Sequence, residues 1–354
     1  MSGGGRERVL WADALRCAAV AGVIVLHVSG SQLSAVSLGS AGWHVLNAYN
    51  SLSRWCVPVF IMLSGAFMLD PRRELTLSRL AGHHILRLCV ALAAWGGFFA
   101  LAGYFVRCGG APDWAGIGAC LLAAVRGNTH YHLWFLYMMI GLYLITPVLR
   151  VFVRGAAEEE RRVFFLLAVL FACLLPTLLR LRPSQAVSTY LGYLNVKLVL
   201  GHVGYYTAGY YLRTCALDAR RVRLAGVLGL LGAAATLFGT AALSLRRGSL
   251  VQTLYEYDSP NVAAMAVAVF VLVRAWLEGR EKPAPVWVGP VAGVSFGIYL
   301  VHEFFLLLLR QGGITAVSFP PVLAVPALSA LVFACAFAAA WLLSRLPVLG
   351  RYLT

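Results

Sequence analysis

Apolar residues run through this chain in long stretches that charged residues rarely interrupt. A stretch of about 20 apolar residues can cross the hydrocarbon core of a bilayer as an α-helix. Stretches of about that length predict ten transmembrane helices, at residues 9–29, 44–69, 84–106, 132–153, 163–180, 196–213, 223–245, 261–277, 288–310 and 322–345. A further apolar stretch, 114–125, is too short to cross, and we expect an interfacial or re-entrant segment there.

Composition supports a membrane setting. Apolar residues make up 60% of the chain and charged residues 12%, and the mean hydropathy is +0.79. A soluble domain carries about 25% charged residues. The fold class is therefore expected to be all-α, a polytopic integral membrane helical bundle whose main partner is the lipid bilayer. The basic residues that give the net charge of +15 lie between apolar stretches, so this charge needs no nucleic acid to explain it.

The basic residues predict the orientation of the bundle. Cytoplasmic loops of membrane proteins carry an excess of Arg and Lys. With the N-terminus inside, 19 basic residues fall on the cytoplasmic side and 8 on the outer side, while Arg16 and Arg54 lie inside spans. We therefore expect both termini to be cytoplasmic. The outer set is Arg107, Arg126, Arg180, Arg182, Lys197, Arg246, Arg247 and Arg310.

The domain organisation is expected to be simple. Asp13 and Arg16 interrupt the apolar core of the first stretch, which argues for a retained first span and against a cleaved signal peptide. We expect residues 1–354 to form a single membrane-embedded domain with no appended soluble domain.

The first span carries the most informative chemistry. Arg16 and His27 are eleven residues apart, which on an α-helix puts both side chains on one face, about 16.5 Å from each other. Asp13 precedes Arg16 by one turn and can pair with it. Ionisable residues inside a membrane helix usually face the protein and serve a function. The alternative is an interfacial Asp13–Arg16 ion pair with His27 as an anchor near the outer end.

Other polar residues are expected at a similar depth on other spans. His132 stands at the outer start of the fourth span, His302 and Glu303 lie past the middle of the ninth, and Arg54 lies towards the outer end of the second, which also contains Ser64. In hydrocarbon such groups must meet each other or line a water-filled cavity. The alternative for His132 and His302 is that they are ordinary interhelical hydrogen-bonding groups.

A cluster of arginines follows the second span. The segment 70–87 contains Arg72, Arg73, Arg79 and Arg87 on the predicted cytoplasmic side. Arginine binds phosphate through two parallel hydrogen bonds, so a phosphorylated cytosolic ligand is one reading. Anionic lipid headgroups and the topology signal itself are the other.

Several classes of chemistry have no signature here. The eight cysteines form no CxxC pair, the histidines show no HExxH spacing, and the chain has neither a P-loop nor a GxGxxG motif. We therefore expect no metal site and no nucleotide-binding fold.

Motifs along almost the whole chain resemble those of the acyltransferase 3 family of polytopic membrane acyltransferases. The first span has the family's arginine and histidine with ten residues between them, as Arg16 and His27. Four further strings follow in the family's order: RWCVPVFIMLSG (54–65), HLWFLY (132–137), VGYYTAGYYL (203–212) and SFGIYLVHEFFLL (295–307). The chain departs from the family where many members carry a paired arginine motif before the third span, because His84 precedes Arg87 here.

The resemblance implies transfer of an acyl group, usually acetyl, from a cytosolic acyl-CoA to a hydroxyl of an extracytoplasmic or lipid-linked glycan. It implies a multi-pass protein of the bacterial cytoplasmic (inner) membrane, with acetyl-CoA as co-substrate and no permanently bound cofactor. His27 is the expected general base, with an acyl-histidine route as the alternative, and Arg16, paired with Asp13, would orient the donor. The expected donor-binding residues are Arg72, Arg73, Arg79 and Arg87, and the expected cavity residues are Arg54, Ser64, His132, Trp134, Tyr299, His302 and Glu303.

A second function class stays open at this stage. The same cavity could carry a small molecule or glycan across the membrane without chemistry, and fold-level likeness does not separate the two classes. Transporters often contain repeated halves or paired broken helices, and the sequence shows neither, which favours the enzyme. The outer segments 107–131 and 246–260 are the expected acceptor-contacting surfaces.

Overall fold

The structure is a computed structural model, and it describes residues 8–108, 113–194, 201–280, 284–347 and 349–354. These residues form helices and contain no strand. The helices are α1 (Leu10–Gly30), α2 (Ala41–Ser53), α3 (Cys56–Met68), α4 (Leu77–Cys108), α5 (Trp114–Val125), α6 (Tyr131–Gly155), α7 (Glu158–Leu181), α8 (Gln185–Leu194), α9 (Val203–Thr214), α10 (Ala219–Arg247), α11 (Pro260–Leu277), α12 (Val288–Gly293), α13 (Ser295–Gln311), α14 (Pro321–Ser344) and α15 (Leu349–Leu353).

The predicted all-α membrane bundle is confirmed. Within the described ranges, eight segments are helical, long and apolar enough to cross a membrane: α1, α2 with α3, α4, α6, α7, α10, α11 with the turn before it, and α14. The segment 114–125 is a short apolar helix. The count of ten spans and the cytoplasmic termini stay predictions, and Arg6, Lys197 and Lys282 from the topology argument lie outside the described residues.

Two of the ten expected spans correspond to shorter helices. The stretch 196–213 begins outside the described residues and continues as the 12-residue α9. The stretch 288–310 is interrupted at Val294, whose backbone leaves the helical region with φ −112° and ψ 14°, so α12 and α13 are separate helices. A sequence window of mean hydropathy averages over such a one-residue interruption.

The second expected span, 44–69, contains a joint between α2 and α3 at Arg54 and Trp55. Pro58 lies four residues after Arg54 and has no N–H group, so the carbonyl of Arg54 receives no helical hydrogen bond from it. This explains an interruption at this point. Arg54 and Trp55 keep right-handed helical backbone angles at the joint, so the Arg54 guanidinium still meets Asn50 one turn earlier on α2.

The helix α1 lies at the centre of the bundle. It contacts α2, α3, α11, α12, α13 and α14, and most of its side chains are buried. Close packing elsewhere depends on glycine: a Cβ atom on Gly65 of α3 would stand 1.8 Å from the carbonyl oxygen of Tyr206, and one on Gly209 of α9 would stand 1.8 Å from that of Met62. Small residues of this kind let membrane helices approach to backbone contact.

The outer surface of the bundle is apolar. Leu144, Val148, Leu166 and Leu230 are 64%, 65%, 65% and 73% exposed, respectively. A water-soluble protein of this size rarely exposes so much contiguous apolar surface. Lipid tails are therefore the natural neighbours of these side chains, and the chain is a multi-pass membrane protein.

The bundle has two ends that matter for the site. The C-terminal half of α1, the N-terminal turn of α6, the C-terminal half of α13 and the segment 248–259 meet at what we call the His27 end. The segment 69–76 and the C-terminal end of α6 meet at the opposite end, which we call the Arg73 end. In the predicted topology the Arg73 end is cytoplasmic.

Candidate active site

Three residues that the sequence places far apart converge at the His27 end. Nδ1 of His27 lies 2.8 Å from Nε2 of His302 and 2.9 Å from Oε1 of Glu303. The side chains of His302 and Glu303 are fully buried, whereas that of His27 is 13% exposed. His27 is therefore the member of this His27–His302–Glu303 triad that a substrate can reach.

The hydrogen bonds of the triad assign the protons of both imidazoles in their neutral form. Nδ1 of His302 lies 2.6 Å from the carbonyl oxygen of Tyr299, which only accepts, so this nitrogen carries the proton. Nε2 of His302 is then an acceptor, and the neighbouring Nδ1 of His27 must donate, to His302 or to Glu303. The remaining nitrogen of His27, Nε2, holds a lone pair and is the basic atom.

Glu303 is surrounded by hydrogen-bond donors. Its Oε1 accepts from the hydroxyl of Tyr131 as well as from His27, and its Oε2 accepts from Nη2 of Arg310 at 2.9 Å. A buried carboxylate needs such partners, because an isolated charge in a low-dielectric interior is very costly. These contacts hold Glu303 as an anion beside His27.

Sequence reasoning missed two of these partners. Arg310 was assigned only to the outer loops, although it follows Glu303 by seven residues and therefore lies two turns along the same face of α13. Tyr131 gave no usable signal, because a single tyrosine beside two histidines has no distinctive spacing.

The N-terminal turn of α6 brings more imidazole to the same place. His130 and His132 are joined by their Nδ1 atoms at 2.7 Å, and the carbonyl of His132 accepts from the hydroxyl of Tyr299. The His132 and His302 rings lie edge to face at 5.6 Å. Within the described ranges, Nε2 of His132 is buried and has no hydrogen-bond partner, so it is a candidate for contact with a substrate.

A cavity of ≈ 220 Å³ runs through the middle of the bundle and is called the inner cavity here. Arg16, Ser64, Arg87 and Tyr299 line it, and the Ser64 hydroxyl bonds to that of Tyr143 at 3.1 Å. Tyr299 also contacts His302, so one lining residue of the inner cavity touches the triad, although none of the three triad members lines that cavity. Arg16 itself does not reach His27.

Arg16 is paired on its own helix. Its Nη1 lies 2.6 Å from Oδ1 of Asp13, and its guanidinium lies 5.4 Å from the ring centre of Phe67. Asp13 is a buried residue of α1, and Nε of Arg8 lies 3.9 Å from its second carboxylate oxygen, Oδ2. Arg87, deeper along α4, donates to the carbonyl oxygen of Thr354 and lies over the ring of Phe296 at 4.9 Å.

A wider cavity of ≈ 520 Å³ opens at the Arg73 end and is called the vestibule. It shares Ser64, His84 and Tyr143 with the inner cavity, so the two spaces adjoin. Arg73 and Arg79 line it. The vestibule and the inner cavity together form a path from the Arg73 end to Tyr299, which contacts the triad.

Arg72, the fourth expected donor-binding arginine, is not among the residues that line these two cavities. It pairs with Asp70 at 3.1 Å, and Arg213 approaches the same carboxylate at 3.2 Å. Burial raises the pKa of Asp70, but the hydrogen bonds from Arg72 and the charge of Arg213 outweigh it, so the pKa lies below its ordinary value. Arg150 donates to the backbone carbonyls of this loop and fixes its shape.

Arg54 acts beside the site and makes no contact with the triad. Its Nε donates to Oδ1 of Asn50 at 2.9 Å, and Nδ2 of Asn50 donates to the carbonyl of Leu26 at 2.9 Å, next to His27. Its Nη1 donates to the carbonyl of Tyr255 at 3.2 Å. Arg54 therefore ties α2, α1 and the segment before α11 together.

The triad is also the group in the described residues whose atoms could converge on a metal ion. One ligand atom from each of His27, His302 and Glu303 lies within 4.8 Å of the others. The same atoms are already hydrogen-bonded to each other, and Arg310 supplies a positive charge to Glu303. The absence of a metal stays a prediction.

Comparison with known proteins identifies the class. The acyltransferase 3 family model, described as an acyltransferase domain, matches residues 9–343. The chain therefore belongs to the acyltransferase 3 family and is a membrane acyltransferase. No curated protein and no solved structure matches it.

Proposed function

We propose that the protein is a membrane O-acyltransferase that moves an acetyl or related acyl group from cytosolic acyl-CoA to a hydroxyl of an extracytoplasmic or lipid-linked glycan. The observation that carries this proposal is an arginine-lined path that reaches Tyr299, which contacts His302 of the triad. The path begins at the Arg73 end, and the triad presents a single accessible base, Nε2 of His27.

The path suits an acyl-CoA. Arg73 and Arg79 at the vestibule can bind the phosphates of the nucleotide, since a guanidinium binds phosphate through paired hydrogen bonds. The flexible arm of CoA then extends past Arg87 and Arg16 through the inner cavity. This arrangement directs the thioester towards Tyr299 and the triad. Arg72 serves the shape of the loop through Asp70 in this account.

The transfer step follows from the proton assignment. Nε2 of His27 removes the proton of the acceptor hydroxyl as its oxygen attacks the thioester carbonyl carbon. The C–S bond then breaks, and the CoA sulfur leaves with the proton that His27 returns. Glu303 stabilises the imidazolium formed between these two events through Nδ1 of His27.

One neighbour completes the chemistry. The unpartnered Nε2 of buried His132 is assigned to the thioester carbonyl oxygen, where negative charge develops. An acyl-His27 intermediate would use the same residues in two half-reactions and is the alternative route.

The acceptor is proposed from resemblance. The motifs of this chain resemble those of the bacterial O-acetyltransferase that modifies enterobacterial common antigen, and on that resemblance the acceptor class that we propose is a lipid-linked glycan at the bacterial inner membrane. Residues 1–354 would act as one membrane-embedded domain.

The test uses inverted membrane vesicles supplied with acetyl-CoA that is labelled in the acetyl group. Wild-type vesicles should transfer label to the glycan or lipid fraction, and His27→Gln should reduce the rate by about 10²–10⁴-fold. His44→Gln is the matched control, because His44 is an exposed histidine on α2 outside the site. A folded His27→Gln protein with the wild-type rate would overturn the role of His27. Absence of transfer by wild type would favour the transporter.

A further inference from the structure

A third cavity, which we call the side cavity, lies on the other side of α6 and has a volume of ≈ 880 Å³. Phe135, Met139 and Tyr143 of α6 face the inner cavity at four-residue steps. Trp134, Met138 and Leu142 follow the neighbouring face at the same steps and line the side cavity. The helix α6 is therefore a wall between the donor path and a second, larger space.

Aromatic and polar groups share the side cavity. The rings of Trp134 and Tyr257 are stacked, with centroids 5.7 Å apart and planes at 18°. Arg180 and Asp258 form two parallel bonds of 2.7 Å, and both side chains remain partly exposed. The carboxylate of Glu256 also lines the space. An apolar platform with a few convergent polar groups is typical of a binding site for a small, partly polar molecule.

Charge separates this cavity from the donor path. Among its lining side chains, the carboxylates of Glu256 and Asp258 face one guanidinium, that of Arg180. The vestibule has the opposite balance, with Arg73, Arg79 and Arg150 against the single carboxylate of Glu74. A phosphate group therefore suits the vestibule and is disfavoured in the side cavity, because like charges in a confined site repel.

The side cavity borders the triad. Tyr131 and Trp134 are three residues apart in the first turns of α6, so their side chains are neighbours on the helix surface. Tyr131 bonds to Glu303, and its ring lies 5.4 Å from that of His27. A molecule held against Trp134 is thus about one helical turn from Tyr131, whose ring contacts that of His27.

We propose that the side cavity binds an uncharged sugar ring of the acceptor glycan, an inference that rests on the proposed function. The ring of Trp134, which is 37% exposed beside Tyr257 and His202, packs against the apolar face of the sugar. Glu256 and the Arg180–Asp258 pair bind its hydroxyls, since carboxylates accept and guanidinium groups donate. The donor and the acceptor then approach the triad from different faces of α6.

Binding to a printed array of neutral and phosphorylated oligosaccharides tests the ligand class, with the full chain in lipid nanodiscs. Wild type should bind neutral oligosaccharides. Trp134→Leu and Glu256→Gln should each weaken that binding by about tenfold or more. Glu158→Gln, a surface carboxylate at the other end of the bundle, is the control that should bind as wild type does. A wild type that binds only phosphorylated members, or none, overturns the proposal.

A kinetic measurement separates this inference from the proposed function. In the vesicle assay, Glu256→Gln and the double variant Arg180→Gln/Asp258→Asn should raise the half-saturating amount of glycan extract by about tenfold or more. They should leave the half-saturating concentration of acetyl-CoA unchanged. The double variant removes both charges of the Arg180–Asp258 pair together, so neither partner is left facing the site of the other. If wild type transfers label and both variants keep the wild-type dependence on glycan, only the side-cavity assignment is refuted. If wild type transfers no label, the proposed function is refuted.

Discussion

Glu303→Gln replaces one carboxylate oxygen with an NH₂ group at a position where every neighbour donates. If the NH₂ group faces Arg310, two donors meet in a buried site. If it faces His27, it opposes the Nδ1–H of His27, which can then donate only to Nε2 of His302. In both arrangements the imidazolium formed during transfer loses the carboxylate charge beside it, and in the first the ion pair with Arg310 is lost as well.

The magnitude follows from these two costs. Exchange of the carboxylate beside the histidine for an amide lowers kcat by about 10⁴-fold in the serine protease triad. We therefore expect Glu303→Gln to lower kcat by about 10³–10⁴-fold, which corresponds to about 4–5.5 kcal/mol of transition-state stabilisation. The KM for acetyl-CoA should stay near its wild-type value, because Glu303 does not line the inner cavity or the vestibule.

The assay is the initial rate of label transfer from acetyl-CoA, measured on protein whose folding is checked by size-exclusion chromatography in detergent. Arg310→Lys is the companion variant: it retains the positive charge near Glu303 and should lose much less activity than Glu303→Gln. A folded Glu303→Gln enzyme with more than about a tenth of the wild-type kcat refutes the role of the Glu303 carboxylate in stabilising the imidazolium.

Three further outcomes are expected. Gly65→Ala should lower the thermal midpoint of the purified protein by several degrees, because overpacking costs about 1–3 kcal/mol. Gly118→Ala is the control: its Cβ atom would meet nothing within 4 Å, so the midpoint should stay unchanged. Arg150→Gln should raise the KM for acetyl-CoA, measured in the vesicle assay, because the loop that lines the vestibule loses three hydrogen bonds. Asp70 has a lowered pKa in the folded state, so its ion pairs stabilise the protein above the unfolded pKa of about 3.9 and are lost as pH falls below it. Thermal unfolding should therefore be more acid-sensitive in wild type than in the double variant Asp70→Asn/Arg213→Gln.

Local spacing made part of this structure predictable. The apolar stretches identified the membrane helices, because the length of a span is set by the thickness of the bilayer. The Asp13–Arg16 contact follows from a three-residue step on one helix. The two breaks, at Arg54 and at Val294, were not predicted, because each depends on one or two residues within an otherwise apolar window.

Of the site, the sequence predicted only the depth of each residue in the membrane. Sequence placed His27, His302 and Glu303 at a similar level, and the structure brings them into contact although 275 residues separate the two histidines. Which helices are neighbours depends on packing, and glycines such as Gly65 and Gly209 set that packing through backbone contacts. The side chain of Arg72 pairs with Asp70 and does not line the vestibule as Arg73 and Arg79 do. That orientation depends on a local turn, which the charge pattern does not encode.

The most direct test of the account is a double-mutant cycle between His27 and Glu303, measured as kcat for label transfer from acetyl-CoA. If Glu303 acts only by holding the base and its proton, the variant His27→Gln/Glu303→Gln should be no slower than His27→Gln alone. A double variant whose loss equals the product of the two single losses would show that the residues act independently, and would contradict the triad as the centre of catalysis.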